Sequence, residues 1–299
     1  MWILVDFESE LSDARQTLIV EQVQIHEGNC TQATGDFYSR MSVEIRGNVG
    51  RGVYVNVGGD LRISGVVEGA MILCFGNISI EGGVRGDCYI RCLGNLSIGF
   101  GETSSLITQG NLKVRDNLVG CFVVAQGKIS FESNEAHVMG GETHWESELS
   151  CPNVGTDTGK VTKLFGGACP FQQFLQNIDE SRLVQLENYL VPVKKDLKEI
   201  KRKRTEQIGH KIQRRRVELE LISSRCEKMK ERLEARIQNR LTLIGRNRDT
   251  VLKVRNELSQ NCEIHLSGRP IPIHKTYMSI HVVVGDDENT TFLQRSGGF

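Results

Sequence analysis

The feature that most constrains this chain's fold is a repeat of about seventeen residues. A glycine, then Asn or Asp, then an aliphatic-x-aliphatic triplet opens four successive units: Gly59-Asp60-Leu61-Arg62-Ile63, Gly76-Asn77-Ile78-Ser79-Ile80, Gly94-Asn95-Leu96-Ser97-Ile98 and Gly110-Asn111-Leu112-Lys113-Val114. Weaker copies begin at Met41 and Gly127, so successive starts are 16 to 18 residues apart. Units this short cannot bury an apolar face alone, and the regular spacing indicates that they stack.

Each repeat also contains a second alternating strand, such as Val53-x-Val55-x-Val57 or Cys88-x-Ile90-x-Cys92. Strands of period two turn every other side chain to the same side, and stacked coils join these side chains into buried columns. Glycine and Asn at the corners adopt dihedrals that other residues avoid, and stacked Asn side chains can hydrogen-bond along the axis. The repeat therefore predicts a mainly β fold, a parallel β-helix (solenoid).

The register of the repeat accounts for several of the nine cysteines. Cys74 and Cys92 share one inward column, and Cys88 and Cys121 share another. In such columns cysteine behaves as a small apolar residue. A structural metal site needs four converging ligands, which the single strand Cys88-x3-Cys92 does not supply. We therefore expect reduced thiols, no metal and no cofactor.

The regular spacing is lost between residues 132 and 167, where we expect an irregular last coil that ends in a strand at 160–165. Four side chains there resemble a metal or acid–base cluster: His137, Glu142, His144 and Glu146. Their spacing does not match the helical HExxH pattern of zinc enzymes. We interpret them as ordinary loop residues and expect no catalytic residues.

From Phe171 the apolar spacing changes to heptads. The first series is Leu183, Leu186, Leu190, Val193, Leu197 and Ile200; after a break near Gly209 the second is Leu219, Ile222, Cys226, Met229, Leu233, Ile237, Leu241 and Ile244, extended by Val251 and Leu258. This spacing predicts an antiparallel coiled-coil hairpin. A second arm of about fifty residues would be about 70 Å long.

These patterns predict four segments. They are a short N-terminal β or cap segment (1–40), the parallel β-helix (41–170), the helical hairpin (171–260) and a C-terminal β segment (261–299). The last segment contains two strand-like runs, at 262–266 and 278–284. We expect it to pack back onto the β-helix, because an uncovered coil end leaves unpaired backbone groups.

The formal net charge of zero conceals an uneven distribution. Residues 1–170 carry 20 acidic and 12 basic side chains, whereas residues 171–299 carry 17 acidic and 25 basic ones. The excess is concentrated at the hairpin tip: Lys201, Arg202, Lys203, Arg204, Lys211, Arg214, Arg215 and Arg216. This cluster predicts protein partners with acidic surfaces. Nucleic acid is disfavoured, because no aromatic side chains alternate with the cations.

No window approaches the ~18 apolar residues of a membrane span. The N-terminal apolar run meets Asp6 after only five residues, which is too short for a secretory leader. We therefore expect a cytoplasmic protein.

The repeat units, together with the order of the segments after them, resemble a known family. The matching residues are Ile63-Ser64-Gly65-Val66-Val67-Glu68-Gly69-Ala70, Gly76-Asn77-Ile78-Ser79-Ile80-Glu81-Gly82-Gly83-Val84-Arg85-Gly86, Gly140-Gly141, Val154-Gly155 and Thr162-Lys163-Leu164. With a charged hairpin and a short β segment after them, they resemble the flagellar assembly protein A family of bacterial β-helix proteins. The resemblance covers residues 42–293. It implies a right-handed β-helix and a role in flagellar assembly or polar organisation, and it supplies no catalytic residues.

The first hypothesis for function is a non-enzymatic scaffold that binds proteins and forms a small homo-oligomer. One alternative is a left-handed hexapeptide-type acyltransferase. That class needs a strict six-residue period and a histidine base, and residues 41–131 contain no histidine. The other alternative is a filament-forming β-helix of the cytoskeleton, in which coil ends stack between molecules.

Overall fold

The computed structural model describes residues 23–157, 159–167, 170–202, 209–244, 249–284 and 290–294. Short strands fill the part before the helices. In chain order they are β1 (Val23–Glu27), β2 (Phe37–Ser39), β3 (Ser42–Arg46), β4 (Tyr54–Val57), β5 (Leu61–Ile63), β6 (Val67–Glu68), β7 (Met71–Cys74), β8 (Ile78–Ile80), β9 (Val84–Arg85), β10 (Tyr89–Cys92), β11 (Leu96–Ile98), β12 (Gly101–Glu102), β13 (Ser105–Thr108), β14 (Leu112–Val114), β15 (Leu118–Val119), β16 (Phe122–Ala125), β17 (Lys128–Phe131), β18 (His137–Met139), β19 (Glu142–Trp145), β20 (Glu148–Val154) and β21 (Thr162–Gly166).

Each coil contributes strands to three faces, which the chain visits in a fixed order. The first face is β1-β3-β5-β8-β11-β14-β17-β20, the second is β6-β9-β12-β15-β18 with the end of β20, and the third is β2-β4-β7-β10-β13-β16-β19-β21. Neighbouring strands on each face are parallel. The predicted parallel β-solenoid is confirmed, and its handedness stays a prediction.

The inward columns follow the alternation in the sequence. Leu61, Ile78 and Leu96 are register partners on the first face, and each is almost completely buried. Their neighbours Arg62 and Ser79 point outward. One apolar cluster runs from Cys30 to Val282 through these columns. Burying a single aliphatic side chain contributes about 1.5–3 kcal/mol, so the columns carry most of the solenoid's stability.

The predicted polar ladder runs along one corner. The backbone N–H of Asn77 donates to Asp60 Oδ1 (2.7 Å), that of Asn95 to Asn77 Oδ1 (2.8 Å), and that of Asn111 to Asn95 Oδ1 (2.9 Å). The N–H of Lys128 continues the series with a bond to Asn111 Oδ1 at 2.8 Å. Each side chain thereby satisfies a backbone donor of the next coil that would otherwise lack a partner where the strands end.

The solenoid extends beyond the regular repeat at both ends. β1 pairs in parallel with β3, so the stack includes residues assigned above to an N-terminal cap; residues 1–22 lie outside the described part. The strand expected at 160–165 is present as β21, but the expectation of an irregular coil before it is wrong, and His137, Glu142 and His144 lie in strands rather than in a loop. β18 and β19 stack in register on β15 and β16, and β20 and β21 stack on β17 and β19.

Two helices follow β21, namely α1 (Pro170–Arg202) and α2 (His210–Ile244). Five strands come after them: β22 (Thr250–Leu258), β23 (Cys262–Leu266), β24 (Arg269–Ile271), β25 (Tyr277–Val284) and β26 (Thr290–Gln294). β22 pairs in parallel with β20, and β23 with β21. The helices therefore interrupt the chain between two successive coils, because the solenoid resumes after them.

The heptad series predicted from the sequence extends beyond the end of α2. Val251 and Leu258, assigned there to the second helix, lie in β22. That extension is wrong: alternation at Leu252 and Val254, both buried, makes this segment a strand. With 35 residues, α2 is about 52 Å long rather than about 70 Å.

The last strands turn back on the final coil. β24 pairs antiparallel with β23, β25 with β22, and β26 with β25. By contacts, the chain forms two compact units. One consists of Met1–Phe171 and Asn247–Phe299, and the other is Gln172–Arg246.

The second unit is an antiparallel helix pair, here called the hairpin. Its interhelical ion pairs show the direction: Glu187 contacts Lys230, Lys194 contacts Glu227 and Lys201 contacts Glu220, so partner numbers fall along α2 as they rise along α1. One buried cluster of the hairpin consists of Val193, Leu197 and Leu219, with Ile200 and Ile222 packed against it, and Leu190 and Leu233 are buried as well. Met229 and Leu241, expected in the seam, are instead about half exposed.

Candidate interaction site on the hairpin

The hairpin tip contains six of the eight predicted basic residues within the described part. Lys201 and Arg202 form the end of α1. Lys211, Arg214, Arg215 and Arg216 lie in the first two turns of α2. Lys203 and Arg204 lie outside the described residues. The antiparallel pairing of the helices thus brings the two basic stretches to the same end of the hairpin.

Most of these cations form ion pairs with one of two carboxylates. Glu218 forms ion pairs with Arg214 and with Arg215, each with a nitrogen–oxygen distance of 3.7 Å. Glu220 is contacted by Arg216 at 3.1 Å and by Lys201 at 3.4 Å. The remaining two cations, Arg202 and Lys211, have no ion pair within the described part of the chain. The tip therefore carries a clear surplus of positive charge.

Glu220 is the more strongly held of the two carboxylates. The hydrogen bond from Arg216 lowers the pKa of Glu220, and Lys201 lowers it further. The carboxylate therefore stays charged through the neutral range. Even so, one acid placed between two cations cannot neutralise both.

The helix macrodipole has opposite effects on the cations at the end of α1 and on those at the start of α2. At the end of α1, Lys201 and Arg202 complement the negative end of the helix macrodipole. The start of α2 has the opposite polarity, yet its first turn contains no acid and includes Lys211. Cations there oppose the macrodipole. Helix stability thus accounts for the basic residues of α1 but not for Lys211. Arg214, Arg215 and Arg216 lie beyond the first turn of α2 and form i,i+3 or i,i+4 ion pairs within that helix.

At the other end of the hairpin, a buried carboxylate joins the two helices. The side chain of Asp179 is only 4% exposed; it accepts hydrogen bonds from Arg236 (2.5 Å) and from Arg240. Arg182 lies 3.8 Å from the same carboxylate. Our sequence interpretation missed this cluster. A signal existed, because continuing the heptads back from Leu183 places Asp179 and Gln176, both buried, on the seam.

The His and Glu residues between 132 and 167 do not form one site. His144 Nε2 lies 2.5 Å from Glu142 Oε1 on the third face, and its ring stacks on Phe165 at 4.7 Å. His137 belongs to the second face, where its Nδ1 lies 2.8 Å from the Glu135 carbonyl oxygen. Within the described ranges, no three His, Cys, Asp or Glu side chains converge as metal ligands would.

The cysteine side chains of the solenoid lie in its inward columns, where they pack as small apolar residues. Cys74, Cys92 and Thr108 are register partners on the third face, as the repeat predicts. Burial raises the pKa of Cys92 and of Cys151 to about 12. Because the thiolate is the reactive form, these buried thiols are poor nucleophiles at neutral pH.

Comparison with known proteins agrees with this architecture. The sequence model of a protein family described as the Flagellar Assembly Protein A beta solenoid domain matches residues 17–290. No curated protein and no solved structure matches the chain. Within the described helices, none is both long and apolar enough to cross a bilayer.

Proposed function

Because the chain belongs to the flagellar assembly protein A family, we propose that it is a non-enzymatic scaffold that binds proteins. It acts in the bacterial cytoplasm in flagellar assembly or polar organisation. The solenoid is the stable part of the scaffold, and the hairpin tip binds acidic surfaces of partner proteins.

The charge surplus at the tip is the observation that carries this proposal. Of the six described cations, four share two carboxylates, Glu218 and Glu220. Arg202 and Lys211 have no ion pair within the described residues, and Lys211 lies in the first turn of α2, where it opposes the helix macrodipole. Charges that do not stabilise the fold are free to attract a partner of opposite sign, and such attraction speeds association and selects among partners.

An acyltransferase of the hexapeptide kind receives no support. Coils 41–131 have units of 16 to 18 residues without a six-residue period, and they contain no histidine that could act as a base. The two histidines nearest in sequence, His137 and His144, lie on different faces of the solenoid.

End-to-end filament growth is also disfavoured. Head-to-tail stacking of molecules would continue the parallel pairing of the solenoid across its coil ends. In the described part of the C-terminal segment, β24 and β25 instead lie antiparallel on the last coil. This arrangement covers that edge. We therefore favour a small homo-oligomer, and light scattering of the purified chain distinguishes it from a polymer.

The proposal is tested by reversing charge at the tip of the full-length chain. In the double variant Lys211→Glu and Arg214→Glu, new acids at the start of α2 suit the helix macrodipole, so the hairpin is expected to fold. The matched control reverses Lys160 and Lys228, both exposed and remote from the tip in sequence. Affinity capture from a flagellated host is compared among the three proteins.

We expect the tip variant to capture at least about ten-fold less partner protein than the wild-type chain does, because charge reversal replaces attraction with repulsion. The control variant should retain capture. The same partners recovered in equal amounts with the tip variant and with the wild-type chain would contradict the proposal.

A further inference from the structure

A groove runs along one flank of the hairpin, between α1 and α2. It has a volume of about 570 Å³ and is lined by Arg182, Gln185, Leu186, Tyr189, Met229, Arg232, Leu233 and Arg236. Each helix contributes four of these residues at positions i, i+3, i+4 and i+7, which is one helical face. The groove therefore follows the helix axes.

The lining combines an apolar floor with exposed apolar walls. Leu233 is buried and Leu186 is half-buried, and they form the floor. Tyr189 is 53% exposed and Met229 is 57% exposed, one on each helix. An aromatic ring and a thioether left in water at a groove are typical of surfaces that bind another protein.

The charged side chains that line the groove are all basic. Arg182, Arg232 and Arg236 line the groove together with no acidic side chain. Two of these arginines, Arg182 and Arg236, share the carboxylate of Asp179 with Arg240, so one negative charge faces three positive charges. Arg232 has no ion pair within the described residues. The groove therefore favours an occupant with carboxylates on both sides of an apolar stripe.

From these features we propose that the groove binds an acidic amphipathic helix of a partner protein. Its apolar stripe packs on Leu186, Tyr189 and Met229, and its carboxylates pair with Arg182 and Arg232. A second copy of this chain is a poor occupant, because a twofold contact would place three arginines opposite three arginines. This inference rests on the protein-binding role proposed above and adds a second contact surface, separate from the tip.

The test uses the full-length chain and a phage-displayed library of helical peptides. Peptides selected on the wild-type chain are measured by fluorescence anisotropy against Arg232→Glu, which changes the charge, and against Tyr189→Ala, which shortens an apolar wall. Lys195→Glu is the matched control. Lys195 is exposed, and it lies nine residues after Leu186, about 180° around α1. Far-UV circular dichroism verifies that each variant is folded.

We expect the selected peptides to be acidic, with apolar residues at i, i+3, i+4 and i+7. Their affinity should fall at least ten-fold for Arg232→Glu and at least three-fold for Tyr189→Ala, and stay unchanged for Lys195→Glu. Neutral or basic selected peptides, or equal affinity for Arg232→Glu and the wild-type chain, would overturn the proposal. So would self-association that disappears in Arg232→Glu, since it would identify a second copy as the occupant.

Failure here is distinguishable from failure of the proposed function. Peptides that bind the groove should bind the tip variant Lys211→Glu and Arg214→Glu with unchanged affinity. If the groove peptides fail while partner capture still depends on the tip, the groove proposal alone is wrong.

Discussion

The solenoid and the hairpin bury apolar side chains in different ways. In the solenoid, inward columns continue from coil to coil, and one apolar cluster extends from Cys30 to Val282. In the hairpin, one cluster consists of Val193, Leu197 and Leu219 with two half-buried neighbours, and Leu190 and Leu233 are also buried. Within the described residues both regions leave large apolar side chains exposed, such as Tyr38 and Phe75 on the solenoid and Val184 and Tyr189 on the hairpin, but the hairpin is the much shorter unit. The comparison indicates that the solenoid supplies stability and that the hairpin presents surface.

The solenoid and the hairpin also differ in how completely their charged side chains are paired. Outward cations of the solenoid are frequently matched within a coil or between neighbouring coils, as in Arg62 with Glu81 and Arg85 with Glu68. In the hairpin, several cations share a single carboxylate, as at Glu218, Glu220 and Asp179, and Arg202, Lys211 and Arg232 have no ion pair within the described residues. The neutral net charge of the whole chain is therefore the sum of two regions with opposite signs.

The largest expected effect comes from adding one methyl group to a solenoid corner. A Cβ on Gly99 would lie 1.7 Å from the Gly82 carbonyl oxygen, so the backbone of one coil must move. We expect Gly99→Ala to destabilise the solenoid by about 3 kcal/mol. Urea unfolding followed by circular dichroism measures the change.

The hairpin provides the matched control for this substitution. A Cβ on Gly209 meets no atom within 4 Å. Gly209→Ala should therefore cost at most about 1 kcal/mol, through weaker capping of α2. Equal losses for the two alanine variants would show that the corner is not tightly packed.

The next largest effect should be confined to the hairpin. Asp179→Asn removes the buried carboxylate that joins Arg236 and Arg240, and we expect a loss of about 2 kcal/mol in helix stability. Hydrogen exchange should show faster exchange in α1 and α2 and no change in the solenoid. Asp196→Asn is the control, because Asp196 is an exposed acid on the same helix. Identical exchange in both variants would show that the cluster does not stabilise the pair.

The next effect in size should be a difference in the rate of thiol modification between the hairpin and the solenoid. Burial raises the pKa of Cys92 and Cys151 to about 12, whereas Cys226 on α2 is half-buried. In a Cys169→Ser background, we expect an aromatic disulfide reagent at pH 8 to modify Cys226 at least about 100-fold faster than the solenoid thiols. Replacing Cys226 by Ser should abolish the fast phase. A fast phase that persists would show that the solenoid opens readily.

The same raised pKa values predict how the solenoid responds to alkali. A thiol whose pKa rises on folding stabilises the fold below its unfolded value of 9.0, and this contribution declines as the pH rises from 9 towards 12. The solenoid should therefore melt at lower temperature above pH 9.

The smallest effect is the response of the hairpin to acid, which has the opposite sign. Hydrogen bonds from Arg216 and from Lys194 lower the pKa of Glu220 and of Glu227. These pairs stabilise the fold above the ordinary value of 4.5 and lose that effect as the pH falls below it. Since about two fifths of each carboxylate side chain is exposed to solvent, only a slight drop in the helix melting temperature is expected. An increase in that temperature on acidification would contradict the assignment.

Sequence reasoning predicted the part of the fold that repeats. Leu61, Ile78 and Leu96 recur at one position of the unit, and their columns follow from stacking alone. The ladder through Asn77, Asn95 and Asn111 follows for the same reason. A repeat makes distant residues neighbours without knowledge of the tertiary fold.

The remaining features depend on tertiary contacts. The spacing of Val251 and Leu258 fits a heptad, and only pairing with β20 makes their segment a strand. The basic tip was recognisable as a charge cluster. The groove was not, because Arg182 and Arg232 are 50 residues apart in the chain and become neighbours only when the helices pair.

The central claim, that the hairpin tip binds partners while the solenoid supports it, is tested most directly by photo-cross-linking in a flagellated host. A photoreactive amino acid replaces Lys211 at the tip or Lys160 on the solenoid, one position in each strain. The account predicts a discrete covalent adduct with another protein from position 211 and none from position 160. An adduct from position 160 alone would contradict it.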